Sequence, residues 1–125
     1  MMRVQARLGA LTLSVVCLAG HGEAPPRLNG QDFLDYYLGA PGVPKAEQGA
    51  RALVRWRYAA GYLDGVADTS RGRAWCATGT VKTIEIDAYV VDEMRTLPAA
   101  VLAGDAAPLM IGLLHKKFPC SRRTS

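Results

Sequence analysis

The side chains that most often perform covalent or acid–base catalysis are few in this sequence of 125 residues. There are two histidines, His21 near the N-terminus and His115 near the other end. A nucleophilic Cys–His or Ser–His pair would therefore have to be built around His115. Lys116 and Lys117 follow it, and positive charge is favoured where a helix ends. The pattern predicts a solvated or helix-capping histidine, and a protein that is not an enzyme.

Carboxylates and cysteines give no stronger indication of a reaction centre. Asp64 and Asp68 are four residues apart, so one helix face would carry both as an acid–base pair. Acids on an exposed helix face usually do no more than solvate it. A zinc site needs four clustered ligands, and His115 is the sole extra candidate near a cysteine. No glycine-rich phosphate loop is present. We therefore expect no metal and no cofactor.

Basic residues instead suggest a protein-binding surface. Arg71 and Arg73 stand close to Trp75, and Arg and Trp are frequent anchors at protein interfaces. The connection from Pro98 to Asp105 is a second candidate, since loops on a rigid scaffold can enter a cleft. A solvated surface, with Trp75 in the core, is the alternative. Lys and Arg outnumber Asp and Glu by 15 to 11, which favours an acidic partner but is too small an excess to predict nucleic-acid binding.

The N-terminus has the features of an export signal. Arg3 and Arg7 precede an uncharged run over residues 8–19, which is too short for a comfortable permanent membrane anchor. Small residues allow cleavage after Ala19 or, with a better fit, after Ala24. The sequence thus predicts a signal peptide over residues 1–24.

A lipoprotein is the competing interpretation of the same segment. Cys17 ends an apolar run, but Val16 stands directly before it, where lipid attachment requires a small residue. No later apolar stretch is long enough to span a bilayer. We expect residues 25–125 to form one exported, periplasmic domain without a membrane segment, and half of the sequence is apolar, which suffices for a modest core.

Helical periodicity and turn residues divide that domain into four or five helices. Residues 31–40 predict a first helix, and the segment 39–44 (GAPGVP) ends it. A long central helix follows, and we expect Gly61 and Gly65 on its buried side to let another helix pack closely. Its apolar stripe comprises Ala50, Leu53, Val54, Tyr58, Gly61, Tyr62, Gly65 and Val66.

The second half of the domain is less regular. Residues 70–82 predict a loop held by Trp75 and Cys76, and a helix then begins with Thr83 as its N-cap. The β-branched residues over 80–91 also allow a strand. Asp105 can cap a last helix, whose apolar face comprises Leu109, Met110, Leu113, Leu114 and Phe118. The predicted fold is all-α, a small single-domain bundle.

Three short motifs follow each other along the chain. They are a GYLxGV segment on the predicted central helix, a cysteine shortly after it, and an FPC segment, comprising Gly61, Tyr62, Leu63, Gly65, Val66, Cys76, Phe118, Pro119 and Cys120. In this order and spacing the motifs resemble those of the immunity proteins of type VI secretion amidase effectors, of the Rap or Tai type, which have a GY[IL]xGV segment on a helix, a Cys shortly after it, and a terminal FPC. The resemblance covers roughly residues 29–120.

The family resemblance also implies a disulfide between Cys76 and Cys120. Members usually carry two more cysteines, at the position of Ala59 and near that of Tyr37, and this chain lacks both. If those positions normally pair, the second pair remains intact here. Removal of Cys17 with the signal leaves an even count, as expected in an oxidising compartment. Two buried free thiols, or a metal-binding pair, are the alternatives.

The resemblance implies a function as well. Such a protein binds a peptidoglycan amidase delivered by a neighbouring cell, covers its active site, and is encoded near that effector. A homodimer is implied too. A periplasmic structural or assembly protein on the same scaffold, without a toxin partner, is the alternative function.

Overall fold

The computed structural model describes residues 27–77 and 79–121, so the predicted signal peptide, including Cys17, lies outside the described residues. Those residues contain five α-helices, one short 3-10 helix and no β-strand, which confirms the all-α prediction. α1 and α5 pack against α2, and α3 packs against α5. The helices are α1 (Gly30–Leu38), α2 (Gly49–Ser70), α3 (Thr83–Met94), α4 (Ala99–Leu102) and α5 (Ala106–Lys117), and the 3-10 helix is Lys45–Glu47.

The first helix begins at a polar cap and ends at a glycine. The side-chain oxygen of Asn29 accepts a hydrogen bond from the Asp32 backbone N–H at 2.7 Å, which satisfies one of the free donors of the first turn. Phe33 and Leu34 are buried. At the other end Gly39 has a φ of +73°, and a Cβ there would overlap the Gln48 side-chain oxygen. A larger residue at position 39 would therefore displace Gln48.

Gln48 holds the loop between α1 and α2 in place. Its side-chain oxygen accepts a hydrogen bond from the Ala40 N–H at 3.1 Å, and its side-chain nitrogen donates to the Val43 carbonyl. The loop carries no buried residue, so these hydrogen bonds supply the order that apolar packing does not. The loop thereby takes a defined position beside the N-terminal part of α2.

The central helix faces the core with a different side from the one predicted. Its buried residues are Ala59, Leu63, Ala67 and Ser70. The prediction that Gly61 and Gly65 pack against another helix is wrong for the described residues, because both are exposed and a Cβ built on either meets nothing within 4 Å. The apolar stripe lies opposite the buried face, and Tyr62 and Val66 at its edge are half-buried against the core.

The loop after α2 and the end of α5 are joined around Trp75. Its side chain is fully buried, and its indole N–H lies 3.0 Å from both the Ala67 carbonyl and the Ser70 hydroxyl. The predicted bond between Cys76 and Cys120 is present, with a Cα–Cα distance of 4.7 Å. Phe118 adds a ring contact to Trp75 at 5.7 Å between centroids. The disulfide therefore closes over an aromatic part of the core.

The third and last helices agree with the predictions apart from their caps. Residues 83–94 form a helix and not a strand, but Thr83 is its first residue and not its N-cap. The Glu85 carboxylate instead accepts a hydrogen bond from the Lys82 N–H at 3.0 Å. Asp105 precedes α5 as predicted, yet its side chain makes no capping hydrogen bond and lies 3.2 Å from the Arg27 guanidinium.

One apolar core joins all five α-helices. None of the helices in the described part of the chain is long and apolar enough to cross a membrane. The buried apolar residues are Leu28, Phe33, Leu34, Ala59, Leu63, Ala67, Trp75, Ile86, Val90, Val91, Met94, Leu102, Ala106, Met110 and Leu114.

Candidate partner-binding surface

Basic and aromatic side chains gather where the α1–α2 loop meets the first turns of α2. We call this set, comprising Tyr36, Lys45, Arg55, Trp56, Arg57 and Tyr58, the basic–aromatic surface. The three cationic side chains and Tyr58 are exposed, whereas Tyr36 and Trp56 are half-buried. α2 places them together because it extends well beyond the core at this end, and its residues 49–58 include none that is buried.

Each cation of this surface lies over an aromatic ring. The Lys45 ammonium is 4.6 Å from the centroid of Trp56, and the Arg57 guanidinium is 5.2 Å from the same ring. The Arg55 guanidinium is 5.3 Å from the centroid of Tyr36. Such contacts contribute about 0.5–1 kcal/mol each at exposed sites, and they limit the motion of long side chains. The surface is therefore partly ordered before any partner arrives.

The same cations have no acidic partner among the described residues. The two ion pairs found there join Arg27 to Asp105 and Arg95 to Asp92. The indole N–H of Trp56 is buried and donates to no acceptor in that part of the chain. Arg and Trp side chains with unused hydrogen-bond donors are well suited to an acidic protein surface.

An open groove runs beside this surface, with a volume of about 940 Å³. Its lining includes the exposed apolar side chains of Leu38 and Val43 and the guanidinium-bearing residues Arg55 and Arg95. Apolar contact area edged by positive charge would accept an acidic segment with one or two apolar side chains. These features make the groove and the basic–aromatic surface together a candidate binding surface.

The binding surface predicted from the sequence, around Arg71, Arg73 and Trp75, makes contacts within its own chain. Arg71 and Arg73 are exposed, but the Arg71 guanidinium stacks 5.0 Å from the Trp75 ring centroid, and Arg73 donates a hydrogen bond to the Thr69 carbonyl at the end of α2. Trp75, with 0 % of its surface exposed, is in the core and not available to a partner. Both arginines thus also serve the fold of their own chain.

The structure does not bring all of the predicted binding residues together. Pro98 and Asp105 are exposed, and Asp105 directly precedes α5. The loop with Arg71 and Arg73 lies at the opposite end of α5, where the His115 Nδ1–H donates to the Ala74 carbonyl at 2.7 Å. The two ends are about 15 Å apart along the helix. They therefore form two separate surfaces.

The basic–aromatic surface is not among the binding surfaces predicted from the sequence. The signal that points to it is the run RWRY at residues 55–58, in which basic and aromatic residues alternate. A search for helical periodicity does not detect this run, because it finds residues that share one helix face, whereas Arg55 and Trp56 lie on neighbouring faces of α2. Tyr36 and Lys45 join the surface through the tertiary fold.

His115, Cys76 and Cys120, the candidate catalytic residues in the described part of the chain, all have structural partners there. Within residues 27–77 and 79–121, no group of three or more His, Cys, Asp or Glu side chains lies close enough to hold a metal ion. His115 is exposed and holds a backbone carbonyl. Cys76 and Cys120 are bonded to each other.

Two carboxylates lie near each other at the contact between α2 and α3. Asp64 and Asp87 are half-buried, and each has one buried oxygen without a hydrogen-bond partner among these residues. Burial, and then the charge of Asp64, raise the pKa of Asp87 to about 6. Burial, then Asp87 and Asp64, also raise the pKa of Tyr37. Near neutral pH this contact therefore carries unfavourable charge.

The residues of the resemblance divide between the core and the surface. Tyr62 and Val66 pack against the core from α2, whereas Pro119 is exposed. The Phe118 carbonyl accepts a hydrogen bond from the Cys76 N–H at 2.8 Å. The motif around Cys76 and the terminal FPC are thus adjacent in space, and they fasten the loop after α2 to the end of α5.

Comparison with known proteins agrees with the resemblance. The model of a protein family described as Rap1a immunity proteins matches residues 29–120. No curated protein matches the chain. The matched range begins at the cap of α1 and ends at the second cysteine of the disulfide, so it includes every described helix.

Proposed function

Because the chain belongs to the Rap1a immunity protein family, we propose that it is a periplasmic immunity protein that binds a peptidoglycan amidase effector of type VI secretion. Binding covers the active site of the effector and prevents hydrolysis of the cell wall. The match over residues 29–120 carries this proposal. The homodimer, the cleaved signal peptide and an effector gene nearby belong to the same proposal.

The mechanism is stoichiometric occlusion. The described residues offer a surface with three cations that have no acidic partner there, and an apolar groove beside it. Tyr, Trp and Arg are the residue types that most often dominate the free energy of protein–protein binding. We therefore place the effector at the basic–aromatic surface, with the loop carrying Arg71 and Arg73 as the competing site.

The test is to purify the product of the neighbouring gene, measure its amidase activity on peptidoglycan, and titrate in this protein. We expect inhibition that saturates near one subunit per enzyme. Loss of effector activity with trace amounts of this protein would contradict occlusion and indicate catalysis. The absence of inhibition at any ratio would favour a structural or assembly protein.

Matched variants then locate the surface. The double substitution Arg55→Ala with Trp56→Ala should weaken binding by about 2 kcal/mol or more, roughly 30-fold in Kd. Arg71→Ala with Arg73→Ala should change it by less than about 1 kcal/mol, as expected for rim positions. His115→Ala should leave binding unchanged. If the Arg71 and Arg73 double variant weakens binding more than the Arg55 and Trp56 double variant does, the effector binds at the loop after α2.

A further inference from the structure

The end of the molecule that carries the disulfide also carries a group of basic side chains. They come from the loop after α2, from the residue before α3 and from the last turn of α5. All of them are exposed, and none forms an ion pair with another described residue. We call this group the basic end, comprising Arg71, Arg73, Lys82, Lys116 and Lys117.

Backbone and aromatic contacts hold the three elements of the basic end next to one another. The Cys76 N–H donates to the Phe118 carbonyl at 2.8 Å, which joins the loop after α2 to the end of α5. The Tyr89 ring lies 6.3 Å from the Phe118 ring, and the Lys117 ammonium lies 5.4 Å from the Tyr89 centroid. α3 begins at Thr83, a short way along the chain from Cys76. The start of α3 therefore belongs to the same end of the molecule.

The positive charge of the basic end exceeds what the fold itself requires. Basic residues are favoured at the C-termini of α2 and α5, but each helix end offsets only about half a charge. The acids nearest in sequence are Asp68 and Glu85, and the Glu85 carboxylate already accepts a hydrogen bond from the Lys82 N–H. Apart from these two acids and the basic end, residues 27–121 carry six Lys or Arg against eight Asp or Glu. The excess of positive charge therefore lies at this end.

An exposed apolar side chain follows one of these cations. Ile84, in the first turn of α3, is 73 % exposed, the largest exposed fraction among the large apolar side chains of the described residues. The other exposed side chains of this kind belong to α1, the loop after it, the first half of α2 and α4. The basic end thus combines several cations with one isolated apolar side chain. It lacks the apolar centre that a protein–protein interface usually has.

We propose that the basic end binds the surface of a membrane that contains anionic phospholipids, with Ile84 entering the headgroup region. Clusters of about four to eight Lys and Arg are attracted to anionic headgroups, and one apolar side chain among them adds contact with the lipid boundary. Binding of this kind needs no groove, and the groove of about 940 Å³ lies beside the other end of α2. The contact is peripheral, because no described helix can cross a membrane.

Membrane contact at the basic end leaves the basic–aromatic surface free for the effector. Arg55 and Arg71 are about 24 Å apart along α2, so the two surfaces can be occupied together. The inference goes beyond the proposed function and depends only on the export included there. Its test needs neither export nor effector, so failure of membrane binding and failure of effector binding are separate results.

The test is co-sedimentation of the processed protein with phosphatidylcholine vesicles that contain or lack phosphatidylglycerol. We expect binding to the anionic vesicles alone, and weaker binding as the salt concentration rises. Lys116→Gln with Lys117→Gln should lower the partition coefficient roughly 20-fold, whereas Lys116→Arg with Lys117→Arg should preserve it. Arg27→Gln with Arg51→Gln is the matched control, because it removes the same charge from other parts of the molecule. It should change binding by less than about 3-fold.

A second pair of variants tests the apolar contact. Ile84→Ser should lower the partition coefficient roughly 5-fold, and Val54→Ser, at a similarly exposed position of α2, should leave it unchanged. Circular dichroism checks that all variants fold. Equal binding to both kinds of vesicle, or no binding to the anionic ones, would overturn the inference. So would stronger co-sedimentation with purified peptidoglycan than with anionic vesicles, because the partner would then be the cell wall.

Discussion

The two halves of α2 belong to one helix but have opposite surroundings. Over residues 59–70 the helix buries Ala59, Leu63, Ala67 and Ser70 against the other helices, beside Trp75 and the disulfide. Over residues 49–58 it buries no residue and carries the basic–aromatic surface. The free energy of folding is therefore concentrated at one end. We therefore expect substitutions at the other end to have little effect on stability, which suits a surface that recognises a partner.

Replacement of each of the two tryptophans tests this difference in stability with the largest expected effect. Trp75→Ala should lower the free energy of unfolding by up to about 5 kcal/mol, because it leaves a cavity and frees two buried acceptors. Trp56→Ala should lower it by less than about 1 kcal/mol. Urea denaturation measures both. Equal losses would show that the two ends contribute alike to stability.

Loss of the disulfide should have the next largest effect. Cys76→Ala with Cys120→Ala opens a loop with a sequence separation of 44 residues, which should lower the free energy of unfolding by about 4 kcal/mol in the chain-entropy model. A reductant should destabilise the wild type to a similar extent and leave the double variant unchanged. Free thiols in denatured, unreduced wild type would contradict the bond.

The raised pKa of Asp87 should make the stability of the protein depend on pH, with a smaller effect than the two changes above. Its pKa is raised from 3.8 to about 6 in the folded protein, so the folded state binds the proton more tightly than the unfolded state does. This group therefore adds stability as the pH falls from about 7 towards about 4, and that stability is lost as the pH rises through the folded pKa.

Asp87→Asn should remove this contribution. Since Asp87 is half-buried and partly screened by solvent, we expect a gain of roughly 1 kcal/mol at pH 7 and none at pH 4. Asp64 and Tyr37 are the titratable neighbours that affect the same region. Asp92→Asn, an exposed acid on the same helix, is the control. An equal change in stability for both variants at both pH values would contradict a specific role of Asp87.

Much of the fold follows from local sequence signals. The loop over residues 39–44, the cap position of Asp105 and the periodicity of α3 and α5 all agree with the structure. α4 was missed because a helix of four residues has no periodicity to detect. The buried face of α2 was predicted wrongly, because this helix has apolar or small residues on two opposite faces. Periodicity reports that a face is apolar, and not what covers it.

The candidate site was harder to predict than the fold. Arg71 and Trp75 are close in sequence and in space, yet Trp75 is buried, and neighbouring residue types do not reveal burial. Lys45 and Tyr36 reach Trp56 and Arg55 through the arrangement of the loop and two helices. Contacts of this kind depend on the tertiary fold.

Because of the position of the disulfide, proteolysis should have different consequences in different loops of this protein. A single cut between residues 95 and 105 would leave both fragments covalently joined, because the cut lies between Cys76 and Cys120. A cut between residues 39 and 44 would release α1, which is held to the rest by packing and hydrogen bonds alone. Buried Phe33 and Leu34 would then leave the core. A single cleavage in the exposed loop before α2, which Gln48 holds in place, should therefore unfold the domain.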